Sequence, residues 1–227
     1  MTGSPVIICA KNEGARLGTL GPLGDIWTHR DELIPEVISH IVVVDDRSTD
    51  NTRSVAKAFY PDLPICVVQG PGVGKGQAMA TGLLACNPKA DNIIFCDADL
   101  SGITPDHWRA MADARGYDQV VVRYDSLSTL VTMPGSLLWP ISGLRGVGGG
   151  LAFNAAPYLN GYMAESTLNT MTYKAGGRLR FVVDPVHHIK YRSANDVATM
   201  LVQIAAYIMQ NDAYVTDVCL GQYVEEN

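Results

Sequence analysis

Apolar residues in this chain gather into short, nearly unbroken runs. Pro5 to Ala10, Ile38 to Val44 and Ile65 to Val68 are three of them, and Asn92 to Cys96 opens a fourth that ends in Asp97-Ala98-Asp99. Runs of this length between polar clusters predict strands of a sheet covered on both faces. Between them the pattern changes. Helices are expected over Thr52 to Phe59 and Gln77 to Ala85, while Asn12 to Pro35, broken by glycine and proline, reads as loop or short helix. Strand and helix therefore alternate through the first hundred residues, which predicts a parallel, Rossmann-like α/β sheet. Its strands all run one way, so the polar turn after Val44, the glycine-rich segment Gly70 to Gly76 and Asp97-Ala98-Asp99 emerge on one edge. Open α/β sheets hold their ligands at that edge.

The second half is less regular. Thr104-Pro105-Asp106 starts a helix to about Ala114, and Gln119 to Tyr124 is a strand. Ser126 to Gly150 has no clear period and reads as loops with a short helix. A helix over Tyr162 to Ala175 stops at Gly176-Gly177, Leu179 to Val183 is a strand, and Ser193 to Gln210 is an amphipathic helix. No repeat or linker divides the chain, so one domain over residues 1–227 is expected.

Composition narrows the class. With 47% hydrophobic and 18% charged residues the chain is of ordinary globular type. The five cysteines are scattered and never form Cys-x-x-Cys, which predicts buried thiols in a reducing compartment and neither a disulfide framework nor a zinc site. Val6 to Ala10 is too short for the apolar core of a signal peptide. The longest apolar stretch, Val197 to Met209, is interrupted by Thr199 and Gln203 and falls short of the ~20 residues of a spanning helix. A net charge of -6 argues against a broad nucleic-acid-binding face. A cytoplasmic protein without a transmembrane segment is the expectation.

Three segments carry candidate chemistry. Asp97 and Asp99, at i and i+2 past a strand end, can share a hard divalent cation that also holds phosphate oxygens; a solvated acidic turn is the alternative. Asp45 and Asp46 can accept hydrogen bonds from a nucleotide base and ribose, or simply cap a helix. Gly74-Lys75-Gly76 can lay backbone N–H groups and an ammonium near phosphates at a helix start. It is not a Walker A loop, because Gly76 stands where the magnesium-binding hydroxyl would be.

Taken in order, Val6-Ile7-Ile8 with Asn12-Glu13, Val42 to Thr52 (Val-Val-Val-Asp-Asp-Arg-Ser-Thr-Asp-Asn-Thr), Gly74 to Ala78 (Gly-Lys-Gly-Gln-Ala) and Asp97 to Ser101 (Asp-Ala-Asp-Leu-Ser) resemble the family 2 glycosyltransferases of GT-A fold. The pattern is most similar to the dolichyl-phosphate mannose synthase and polyprenyl-phosphate glycosyltransferase branch, with glucosyl-3-phosphoglycerate synthases as neighbours. The resemblance implies a mixed, mostly parallel sheet flanked by helices, with residues 1–101 binding a nucleoside diphosphate sugar and 102–227 the acceptor. It implies that Asn12, Glu13, Asp45, Asp46, Lys75, Asp97 and Ala98 meet the donor, and that Asp97 and Asp99 bind Mn²⁺ or Mg²⁺ on its diphosphate, giving Asp99 a part in catalysis. Arg47 stands where the family usually has glycine.

The later matches are looser. Val-Val-Val-Arg-Tyr (120 to 124) makes Arg123 a candidate phosphate contact, Ser142-Gly143-Leu144-Arg145-Gly146 gives Arg145 a role with an anionic acceptor, and Arg192 is a further candidate. Glu165 matches a family glutamate that is either a general base or a carboxylate ordering nearby loops. Pro185-Val186-His187-His188 resembles the family's Pro-Val-x-His and offers His188 as a third metal ligand. The acceptor stays open between a polyprenyl phosphate, which would place the protein peripherally at a membrane, a small phosphorylated acid, a protein and a modified nucleic-acid base. A sugar-phosphate nucleotidyltransferase and a non-catalytic nucleotide-sugar-binding module are the alternatives.

Overall fold

The apolar runs pair as parallel strands. β1 (Ser4–Ala10), β2 (Ile38–Asp45), β3 (Ile65–Gln69) and β4 (Asn92–Asp97) lie in the order β3-β2-β1-β4. The structure, a computed structural model, describes residues 3–58, 60–124, 142–188, 194–209 and 224–225. Side chains alternate across a sheet, so each run divides between two cores. Val6, Ile8, Ile41, Val43 and Ile94 face one; Ile7, Val42, Val44, Ile93 and Phe95 face the other. Each fully buried Val or Ile contributes roughly 1.5–3 kcal/mol, so these strands dominate the stability of the half that carries the acidic turns.

Helices cover both faces. The stretch expected as loop or short helix forms α1 (Gly14–Leu17), α2 (Pro22–Thr28) and α3 (Arg30–Leu33), which place Leu17, Leu23, Ile26 and Leu33 in the first core. α4 (Thr52–Ala58) adds Ala56 to it. α5 (Lys75–Leu84) lays Ala78, Met79 and Leu83 on the second core. After β4 come β5 (Leu100–Ser101) and α6 (Pro105–Ala112), whose Trp108 and Met111 extend the first core.

The rest of the chain widens the sheet. It supplies β6 (Gln119–Tyr124), β7 (Arg145–Gly148), α7 (Gly149–Ala155), α8 (Ala164–Lys174), β8 (Leu179–His188), α9 (Ala194–Met209) and the short β9 (Val224–Glu225). The full order is β3-β2-β1-β4-β7-β6-β8-β5, with β9 on β8. β7 runs antiparallel between β4 and β6, β5 is antiparallel to β8, and the remaining pairs are parallel. This is the mixed, mostly parallel sheet of the expectation.

Two details differ from the sequence reading. β8 continues beyond Val183 to His188. β7 falls within a stretch expected to be loops, because Arg-Gly-Val-Gly has no apolar run. Gly146 is there for close approach: a Cβ on it would lie 2.1 Å from the carbonyl oxygen of Met111, at the end of α6. The C-terminal stop of α8 agrees with the expectation, since Gly176 adopts a left-handed φ of 65°. The expected element ends at Phe59, Ser193 and Gln210, and the stretch 126–141, lie outside the described residues.

Candidate active site

Register brings the acidic turns level. In β1, Cys9 pairs with Val44 on one side and Asp97 on the other, and Ala10 pairs with Asp45. Two carboxylate-bearing turns therefore flank the same strand end, as the parallel topology predicted.

The first turn is shaped by its own hydrogen bonds. Asp45 accepts the Ser48 N–H at 3.0 Å, and Arg53 approaches its other oxygen at 3.7 Å. Asp46 accepts the N–H of Gly72 at 2.6 Å and of Gly74 at 3.3 Å, tying the glycine-rich loop to the β2 end. That loop requires glycine, because Gly72 (φ 82°) and Gly74 (φ 123°) lie where a Cβ is disfavoured. Arg47 holds φ 58°, a left-handed conformation, at the position where the sequence resemblance expects glycine. Asn12, at φ 57°, accepts the N–H and hydroxyl of Thr49 and braces the same turn from behind.

Between the turns lies a cavity of about 380 Å³. Of the predicted site residues, Glu13, Asp46, Lys75, Asp97, Ala98 and Asp99 line it; Asn12 and Asp45 do not. Glu13 is partly occupied by an ion pair with Arg16 at 3.0 Å. Lys11, Val73, Tyr162 and Gln203 also line the cavity and were missed. Lys11 directly follows β1, so the strand-end rule had the means to find it. Gln203 stood in the sequence only as a polar interruption of an apolar helix; here its Oε1 accepts the Tyr162 N–H at 3.3 Å.

Below the cavity is a buried ionic network. Lys75 opens α5 and donates to Asp97 at 2.6 Å and, in a short contact, to Glu165 in the first turn of α8. Burial pushes the Glu165 carboxyl up, but the Lys75 and Arg145 charges outweigh it and hold the group below its ordinary range. A carboxylate held low and already paired is a poor proton acceptor. Burial also pushes the Cys9 thiol far up, leaving a neutral group beside the network.

Arg145, expected to meet an anionic acceptor, is placed inside the protein. Its side chain is fully buried, and it donates to the Ser142 carbonyl (2.7 Å), Gln119 Oε1 (2.9 Å) and Asn169 Oδ1 (3.0 Å). β7 inserts between β4 and β6, which turns the guanidinium inward under the cavity.

The depressed Glu165 pKa fixes a sign for acid stability. The unfolded chain binds the proton first, so the contribution is present above the ordinary value of 4.5 and lost as pH falls through the lowered folded value. Unfolding free energy measured against pH is expected to drop below about pH 4.5, and the drop should shrink in Glu165→Gln. An equal acid slope in both proteins would refute the pairing.

The donor set at Asp97 and Asp99 suits a hard cation. Both carboxylates are buried yet line the cavity. Among the described residues no group of three His, Cys, Asp or Glu converges, so the remaining positions would fall to phosphate oxygens and water. Mg²⁺-type ions are commonly held that way, by one or two carboxylates with substrate phosphates. The register Leu100↔His188 sets the His188 backbone opposite the residue after Asp99. The side chains of His188 and Arg123, and all of Arg192, lie outside what is described.

Comparisons with known proteins bear on this geometry. The family model described as Glycosyl transferase family 2 matches residues 6–126. A sequence comparison with curated proteins gave no match. Among solved structures, the fold is similar to glucosyl-3-phosphoglycerate synthase from Mycobacterium tuberculosis in complex with Mn²⁺, uridine diphosphate and glucosyl-3-phosphoglycerate, with TM-score 0.70 and 21% identity over 92% of this chain and 79% of that one. The same enzyme in complex with Mn²⁺, UDP-glucose and phosphoglyceric acid gives TM-score 0.68 and 20% identity over 96% of this chain and 80% of that one. Mannosyl-3-phosphoglycerate synthase from Rubrobacter xylanophilus gives TM-score 0.70 and 19% identity over 99% and 77%. At these identities the likeness speaks for the fold alone.

Proposed function

This chain belongs to glycosyl transferase family 2, and from that premise we propose that it moves a sugar from a nucleoside diphosphate sugar to a small phosphorylated acid, using Mn²⁺ or Mg²⁺. The observation that carries the reading is the convergence of Asp97 and Asp99 with Asp46 and Lys75 on one cavity at the sheet edge. Residues 1–101 are assigned to the donor and 102–227 to the acceptor. The acceptor class rests on the phosphoglycerate bound in the structural neighbours. A cytoplasmic setting is part of the proposal; among the described residues no helix is long and apolar enough to cross a membrane, and Cys9, Cys66, Cys86 and Cys96 are free thiols.

The roles follow from position. Asp97 and Asp99 would hold the cation, which when bound offsets the negative charge that grows on the departing diphosphate. Lys75 sets the Asp97 carboxylate and adds positive charge under the diphosphate. Asp46 holds the Gly72 to Gly74 loop, so that the first turn of α5 faces the cavity with a fixed backbone. In the reaction the bond from the anomeric carbon to the diphosphate oxygen breaks, a bond from that carbon to an acceptor hydroxyl oxygen forms, and the hydroxyl proton is released.

A melting screen of UDP-, GDP-, CDP- and TDP-sugars with and without Mn²⁺ tests this. At a hundredfold excess over Kd a donor adds about 2.7 kcal/mol, a rise of roughly 5–10 °C for a chain of this size. The rise is expected for one base class and only with metal; adding 3-phosphoglycerate should then yield a product heavier by one sugar residue. No shift with any donor, or pyrophosphate release from a nucleoside triphosphate, would reject the assignment.

A further inference from the structure

Gly143 lies in the segment matched on the sequence to the acceptor side, yet its neighbour in space is Asp97. A Cβ built on Gly143 would sit 2.1 Å from Asp97 Oδ2, 2.3 Å from Cγ and 2.4 Å from Oδ1, far inside contact distance. Gly143 does not adopt a left-handed φ, so its φ is not what calls for glycine. What the position requires is room.

The two flanks of Gly143 are fixed. Ser142 Oγ donates to the Val122 carbonyl at 2.6 Å, and its own carbonyl accepts Arg145 Nε at 2.7 Å. On the other side the Leu144 N–H reaches Ser142 Oγ at 3.2 Å, and the Leu144 carbonyl accepts the Val122 N–H at 3.0 Å. With the backbone held by β6 and by a buried guanidinium, it is the Asp97 carboxylate that must give way to a side chain at 143. From this we infer that Gly143 is a positioning residue: its missing side chain, on a platform anchored by Ser142 and Arg145, sets where the Asp97 carboxylate stands for the cation and diphosphate. The inference rests on the glycosyl-transfer reading above. It moves the Ser142 to Arg145 segment from acceptor recognition to support of the metal carboxylate.

The test is a cycle of Gly143→Ala, Asp97→Ala and the double variant, read by melting temperature and by Mn²⁺ titration followed by electron paramagnetic resonance. The titration is made with UDP or GDP, whichever raises the wild-type melting point more. Gly143→Ala alone should lower the melting temperature and weaken Mn²⁺ binding at least tenfold. In the Asp97→Ala background, where the clashing atoms are gone, it should change neither, with Mn²⁺ affinity within twofold. Gly150→Ala is the control, because nothing lies within 4 Å of a Cβ there. If Gly143→Ala does not fold, recovery of the fold in the double variant supports the inference. Mn²⁺ affinity within twofold of wild type in Gly143→Ala, or an equal loss of melting temperature in both backgrounds, overturns it. Wild type that takes up no Mn²⁺ with either nucleotide overturns the glycosyl-transfer reading itself.

Discussion

Replacing Asp97 and Asp99 together by asparagine is expected to lower sugar transfer and metal-stimulated donor hydrolysis by at least about 10³-fold, the size of effect that several kcal/mol of lost charge stabilisation produces. The amides keep the shape of the carboxylates but give the cation no charged oxygen, and no group of three His, Cys, Asp or Glu among the described residues replaces them. The fold should survive, because Lys75 keeps its pair with Glu165 and the cores on either side of β4 are untouched. Steady-state rates with the donor identified by the melting screen, set beside circular dichroism of the same preparations, provide the check. Wild-type turnover in the double variant would mean that the diphosphate is stabilised elsewhere.

Arg145→Met should act in the opposite manner, on stability. The guanidinium is fully buried and makes three hydrogen bonds of 2.7–3.0 Å to Ser142, Gln119 and Asn169. It also helps to keep Glu165 ionised. Breaking a buried charged network by removing one member costs about 3–5 kcal/mol, a large fraction of the whole stability of a domain. Urea unfolding is expected to show a loss of unfolding free energy of that size, seen as a lower midpoint with little change in slope. The acceptor-contact reading drawn from the sequence predicts the reverse, an unchanged midpoint with a raised KM for the acceptor, and that result would restore it.

The contrast between these residues indicates what was legible. Asp97 and Asp99 follow a short apolar run that reads as a buried strand, and a parallel sheet has one edge where such strands end; residue order therefore placed them at that edge. Asp46 was legible for the same reason. Glu165 and Arg145 were legible as positions, while their neighbours in space were not. A charged residue in a motif looks alike whether it faces a ligand or a neighbouring charge, and only the insertion of β7 turns Arg145 inward. Gln203 lies on a helix far from the acidic turns in sequence, and its place on the cavity wall follows from how α9 packs near Gly161 and Tyr162.

By itself the sequence determined the parallel half of the sheet, the two cores divided by alternation along β1, β2 and β4, and the shared edge for the acidic turns. These depend on local periodicity and on strand direction, which short segments encode. The tertiary structure alone decided that β7 runs antiparallel through the middle of the sheet, that Lys75 is clasped between Asp97 and Glu165, and that a glycine of the second half makes room for a carboxylate of the first. Each is a meeting of segments remote along the chain, governed by close packing and by the need of buried charges for partners.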